Sequence, residues 1–133
     1  MNIGKAAELS NLSVKTVRYY ANIGLVTAKK DYSSGYRVYN DENIEKLIFI
    51  GKARKFNFSI QECRELLGLY ENKDRSSSEV KKLTLKKITE IQNRMSELNS
   101  LQEELGRLAM GCNGDHRPNC PIIGFLAKKD IKN

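Results

Sequence analysis

Two cysteines bracket a short segment late in the chain: Cys112-Asn113-Gly114-Asp115-His116-Arg117-Pro118-Asn119-Cys120. Two thiols in this C-x7-C spacing, within a Gly/Pro/Asn loop, are able to converge on one ion. Thiolate is a soft ligand that favours monovalent copper, zinc or iron–sulfur centres. Zinc ordinarily takes four ligands, and the loop's further donors, Asp115 and His116, complete such a site only in principle. Two thiolates and nothing else suit a monovalent d10 ion in a near-linear site. The same pair also reads as a thiol–disulfide switch, if the thiols ionise early and oxidise reversibly, or as two unrelated thiols. Cys63, in Gln61-Glu62-Cys63-Arg64, has no cysteine or histidine near it in sequence and is read as a packing or surface thiol. An enzyme with a reactive cysteine would need a base, yet the single histidine lies in the loop and no phosphate-binding motif is present.

A second set of residues carries a different chemistry. Lys15, Arg18 and Tyr19 or Tyr20 fall on the outer face of a short predicted helix. Tyr36 and Arg37 follow in a predicted hairpin, and Arg54 ends a third helix. Long cationic and aromatic side chains of this kind reach phosphates and base edges when a helix enters the DNA major groove. The charge agrees: 23 Lys+Arg against 16 Asp+Glu give a net +7. Residues 1–60 hold ten basic against five acidic residues, so the excess is mostly N-terminal.

The elements that position these residues are legible. Asn2 caps a helix from Ile3 to about Leu9, with Ile3, Ala6 and Leu9 on one face. After a tight turn, Ser13 caps a second helix, Val14 to about Ile23, with Val14, Val17 and Ile23 inward and Gly24 just past its end. Two short helices joined by such a turn outline a helix-turn-helix. Ser33-Ser34-Gly35 turns between β-prone stretches and predicts a small wing. Asn40 caps a third helix to about Lys55, with Ile44, Leu47, Ile48 and Ala53 apolar. The capping box Ser59-Ile60-Gln61-Glu62 opens a fourth, ending near Tyr70. Residues 71–78 read as a linker, and Ser76-Ser77-Ser78-Glu79 as a further capping box. A long helix then runs from about Glu79 to Ala109. Ile88, Ile91, Met95, Leu98 and Leu105 follow the alternating spacing of a coiled-coil seam, interrupted by Gln102. Little apolar sequence remains to cover that stripe within one chain, so a homodimer is expected.

As a set, Ile3-Gly4-Lys5-Ala6-Ala7, Val17-Arg18-Tyr19-Tyr20, Ile23-Gly24-Leu25-Val26 and Gly35-Tyr36-Arg37-Val38-Tyr39 resemble the MerR family of transcription regulators, over residues 1 to about 126. The resemblance implies a mainly α fold: a winged helix-turn-helix domain with connecting helices (residues 1–70), a linker (71–78), a dimerisation helix (79–110), a metal loop with a short terminal helix (111–126) and a basic tail (127–133). It implies a homodimer on double-stranded promoter DNA that distorts the duplex so that RNA polymerase engages both promoter elements. The segments around Cys112 and Cys120 resemble the metal loop of the family's copper-efflux regulators. That likeness implies Cu(I) as the ion, with Ag(I) and Au(I) as mimics, and copper export or detoxification genes as targets. Divalent-sensing relatives carry a further cysteine where this chain has Ser77, which argues against zinc, lead or mercury. Two thiolates around a +1 ion leave a net negative charge that is costly to bury uncompensated. Lys81 and the dipole of the long helix are the expected neutralisers, if the partner's helix start lies against the loop.

Composition sets the outer limits. The 133 residues amount to one domain with an accessory helix, and 40% hydrophobic with 29% charged residues indicates a globular chain. No apolar run approaches the ~20 residues of a membrane span. The polar start Met1-Asn2-Ile3-Gly4-Lys5 lacks a secretory pattern, which predicts a cytoplasmic protein with reduced thiols.

Overall fold

Asn2 stays extended and its side chain accepts the Lys5 N–H at 2.8 Å, which starts helix α1 (Ile3–Ser10). Asn11 ends α1 in the left-handed conformation, so the turn is tight. The Ser13 hydroxyl accepts the Thr16 N–H and opens α2 (Val14–Asn22). Gly24 follows α2 at φ +73°, a conformation a side chain would strain. A computed structural model of the chain describes residues 1–115, 118 and 120–128.

Beyond α2 come β1 (Lys29–Lys30) and β2 (Arg37–Val38), antiparallel, with Lys29 opposite Val38 and Lys30 opposite Arg37. The Asp31 carboxylate fixes the tip by accepting from the Ser33 N–H and the Ser33 and Ser34 hydroxyls. Those bonds, the Ser33 N–H first, hold its pKa below the ordinary value. Helix α3 (Asp41–Lys55) has a reciprocal box between Asn40 and Asn43, and α4 (Ile60–Glu71) has one between Ser59 and Glu62. A long helix, α5 (Ser77–Met110), and a short one, α6 (Pro121–Ala127), complete the order. Among the described residues no helix is long and apolar enough to cross a membrane.

The chain divides into two compact units, Met1–Lys87 and Ile88–Asn133. The core of the first comprises Ala6 and Ala7 of α1, Val17 and Tyr20 of α2, Leu25, Val26 and Tyr39 between the elements, Ile44, Leu47, Ile50 and Ala53 of α3, and Cys63 and Leu67 of α4. It departs from the sequence expectation at several points. Leu9 and Val14 are exposed, because α1 turns Ala6, Ala7 and Ser10 inward and α2 turns Val17, Tyr20 and Ala21 inward. In α3, Ile50 is fully buried while Ile48 faces out; the i, i+3, i+6 and i+9 positions Ile44, Leu47, Ile50 and Ala53 form the actual stripe. Helix α5 begins at Ser77, two residues earlier than expected. Ser76 Oγ accepts from the Ser78 N–H, and the Glu79 N–H goes to the Ser76 carbonyl instead of a capping-box hydroxyl.

Within the second unit, Ile88, Met95, Leu98, Leu101 and Leu105 of α5 are about half exposed, and Met110 almost wholly so. A helix interior this apolar on its surface exceeds what scattered exposure accounts for. His116, Arg117, Asn119 and the tail 129–133 lie outside the described residues, so the donor His116 and the basic ending expected from the sequence have no placement here.

Candidate functional site

The DNA-reading candidates are all carried by the first unit. Arg18 on α2 and Tyr36 and Arg37 in the wing line one concave groove of about 270 Å³, together with Asn2 at the start of α1 and Lys30 of β1. Three cations in one groove with a helix start beside them make a surface suited to phosphate oxygens. Lys30 and Asn2 were not singled out by the sequence; only the hairpin pairing brings Lys30 beside Arg37. The Arg37 guanidinium also reaches the Asn22 side chain at 3.4 Å, which ties the wing to the end of α2. Lys15 and Tyr19 are exposed on α2, Tyr19 with its ring 6.0 Å from that of Tyr20.

Tyr20 itself is a correction. It is 5% exposed and belongs to the core, so its ring is no outer-face contact. Burial raises its hydroxyl pKa, partly offset by the nearby Arg54 guanidinium. Arg54 is likewise engaged inward: it donates to the Phe58 carbonyl at 2.8 Å. Arg54 therefore braces the α3–α4 turn against the second helix while remaining at the surface.

The thiols behave differently from one another. Cys63 is fully buried, with Sγ 3.9 Å from the Phe58 carbonyl, and burial pushes its thiol pKa up. That is a packing cysteine. Cys112 and Cys120 are half-buried, unbonded to each other, and their Sγ atoms are 3.3 Å apart. Cys112 sits just past the end of α5, its N–H on the Ala109 carbonyl. Cys120 precedes Pro121 at the start of α6. The Ile123 N–H, the Cys112 thiol and the Ile122 N–H all stabilise the Cys120 thiolate and lower its pKa from the ordinary 9.0. Gly114, at φ +67°, provides the reversal in the loop between them.

This donor set fits a soft ion of low charge. Among the described residues no group of three or more His, Cys, Asp or Glu side chains is placed to hold a metal. Asp115 is exposed. At 3.3 Å the two sulfurs are close enough that Cys112 and Cys120 would be the residues to hold such an ion.

At the start of α5, Ser77 and Lys81 line an open groove of about 670 Å³ with Lys73, Arg75, Val80 and Thr84. Lys73 and Arg75 add to the cationic character that Lys81 alone suggested. Arg75 is partly occupied, donating to the Tyr70 and Asn72 carbonyls. A further charged pair went unread in the sequence: Lys87, 6% exposed, donates to Glu62 Oε1 at 2.8 Å. Only the capping role of Glu62 was legible, because Lys87 looks like any solvated helix lysine until α5 packs on α4.

The sequence profile described as MerR HTH family regulatory protein matches residues 1–69, and the profile described as MerR, DNA binding matches residues 44–108. The HTH-type transcriptional regulator HmrR of Rhizobium leguminosarum bv. viciae is 45% identical over 127 residues, covering 96% of this chain and 98% of its own. The regulator CueR of Salmonella typhimurium is 39% identical, covering 96% and 92%. Among solved structures, the transcription regulator PbrR691 from Ralstonia metallidurans CH34, in complex with lead(II), superposes with a TM-score of 0.78 at 29% identity, covering 96% of this chain and 99% of that one.

Proposed function

The chain belongs to the MerR family of DNA-binding transcription regulators, and on that premise we propose that it is a metal-responsive regulator that takes Cu(I), or Ag(I) and Au(I) as mimics, on Cys112 and Cys120. The observation that carries this reading is the pair of thiols 3.3 Å apart with no third donor cluster among the described residues. Two thiolates neutralise a monovalent soft ion with one negative charge over, whereas a divalent ion needs more ligands than the pair provides. Ser77, a hydroxyl at the start of α5, supplies neither softness nor charge. The likeness of the segments around Cys112 and Cys120 to the loop of copper-efflux regulators supports copper over the lead(II) bound by PbrR691. When bound, the ion supplies a covalent-like clasp between the end of α5 and the start of α6.

This chain's residues do the rest. The groove holding Arg18, Tyr36 and Arg37 grips the duplex, with Lys15 and Tyr19 beside it on α2 and Arg54 bracing the turn behind. In this reading residues 1–70 bind DNA, 79–110 dimerise and 111–126 sense. The half-exposed apolar residues of α5 form the seam of a homodimer. Lys81, with Lys73 and Arg75, offsets the charge of the partner's dithiolate site. Activation proceeds by distorting promoter DNA for RNA polymerase, so specificity rests on deformability as well as base contacts. Copper export and detoxification genes in the cytoplasm are the proposed targets.

The test is competitive titration of the reduced protein with Cu(I), Ag(I) and Zn(II), read alongside metal-dependent transcription from its operator. Tight one-to-one Cu(I) binding with induction supports the reading; selective Zn(II) response overturns it. A thiol–disulfide switch at the same pair is the second reading, favoured by the 3.3 Å approach. It requires that the reduced protein show no stoichiometric tight metal site.

A further inference from the structure

Lys87 is the last residue of the first unit and lies nearly dry against the turn that joins α3 to α4. Its ammonium donates to Glu62 Oε1 at 2.8 Å and stands 5.4 Å from the centroid of the Phe58 ring. Both partners belong to that turn or its cap. Glu62 Oε1 simultaneously accepts the Ser59 N–H at 2.8 Å, closing the capping box of α4. Phe58 presents its carbonyl to Arg54 at 2.8 Å, and the Arg54 guanidinium lies near enough to the hydroxyl of Tyr20 on α2 to oppose the effect of its burial. The turn itself is set tightly, with Asn57 in the left-handed region at φ +69°.

A buried ammonium is costly unless fully partnered, and removing one member of such a pair leaves the other charge stranded. Stability alone would be served as well by an apolar residue here. What the pair adds is direction: an ion pair and a cation–π contact fix where α5 meets the turn, whereas an apolar contact would tolerate sliding. These contacts lead from α5 through the turn to Arg54, whose charge acts on Tyr20 of the second helix of the helix-turn-helix. We propose that Lys87 is a positioning residue that transmits the setting of α5, through Glu62, Phe58 and Arg54, to the DNA-reading helix α2. The inference rests on the DNA-binding reading of the first unit and is independent of which metal the thiols take.

The experiment is a double-mutant cycle on the metal-free full-length protein, with Lys87→Met, Arg54→Ala and the double variant. The probe is a duplex selected from a random-sequence pool with the wild-type protein, and binding is measured well below each variant's melting temperature. If Lys87 acts through Arg54, Lys87→Met weakens binding about tenfold, and the double variant binds no more weakly than Arg54→Ala alone. Lys87→Arg, which keeps charge and stacking, stays within about twofold of wild type. A residue that merely stabilises the fold would lower the melting temperature and leave the affinity of the folded protein unchanged. If Lys87→Met does not fold, Glu62→Gln takes its place, because the amide oxygen still caps Ser59 while the charge is gone. Wild-type affinity in the Lys87 or Glu62 variant, or losses that simply multiply in the double variant, overturns the proposal. A wild-type protein that selects no duplex overturns it together with the DNA-binding reading.

Discussion

The sulfur atoms of Cys112 and Cys120 face each other at 3.3 Å across the junction of α5 and α6, with the backbone N–H groups of Ile122 and Ile123 turned toward Cys120. A site of two ligands has no redundancy. Cys112→Ser and Cys120→Ser are each expected to abolish Cu(I)-induced transcription while the metal-free protein still binds DNA. Cys63→Ser is expected to leave metal stoichiometry intact, since Cys63 is fully buried in the first unit. Retained induction in either loop variant would refute the two-thiol site.

Ser77 tests the argument from charge. Ser77→Cys would offer a third thiolate if the start of the partner's α5 lies against the loop, raising negative charge and coordination number together. Competition titration under reduction should then show tighter Zn(II) binding than wild type, with Cu(I) binding retained. No gain in zinc affinity means that the charge-selection argument fails.

Arg18 and Tyr20 are separable by what each variant costs. Arg18 lines the exposed groove, so Arg18→Ala is expected to weaken specific DNA binding by roughly 1–3 kcal/mol with little change in melting temperature. Tyr20 is core, so Tyr20→Ala is expected to cost about 3–5 kcal/mol of fold stability. Chemical unfolding and operator titration of both variants check the division; an unstable Arg18→Ala or a stable Tyr20→Ala would contradict it.

Glu62 gives a pH dependence with a definite sign. Burial pushes its carboxyl up, but the Lys87 ammonium and the Ser59 N–H and hydroxyl outweigh that and hold it below its ordinary 4.5. A carboxyl with a depressed folded pKa contributes stability above its unfolded value and loses it as pH falls through the folded one. The stability difference between wild type and Glu62→Gln should therefore be constant above about pH 5 and shrink on acidification below the unfolded carboxylate range of about 4.3. Denaturation midpoints measured across that range decide it; a difference that grows on acidification would show that the pair is not the cause.

Tyr39 offers a stabilising change. Its side chain is 1% exposed, and its hydroxyl has no hydrogen-bond partner among the described residues. Leaving a buried hydroxyl unpaired costs about 1–3 kcal/mol, so Tyr39→Phe is expected to hold or raise stability. A loss on thermal unfolding would mean that the hydroxyl is satisfied.

Local chemistry made much of this protein legible from its sequence. Asn2, Ser13, Asn40 and Ser59 are short polar side chains that satisfy N–H groups three residues ahead, so each marks a helix start without help from the fold. Gly24 marks a helix end for the same local reason. The two cysteines suggest a soft-ion or redox site by residue type and spacing alone. The choice of buried face was less local. Val14 and Val17, or Ile48 and Ile50, are interchangeable in hydrophobicity, and only the packing of α1, α3 and α4 around one core decided which turned inward. Tyr20 looked like an outer-face aromatic until that packing took its ring into the core. Ser76 to Glu79 carried a capping pattern, and the helix begins directly after Ser76, whose hydroxyl accepts the Ser78 N–H. The pairing of Lys87 with Glu62 spans 25 positions, and a surface lysine and a capping glutamate carry no mark of each other in sequence. Contacts of that range depend on how whole helices meet, which is why the tertiary structure alone revealed them.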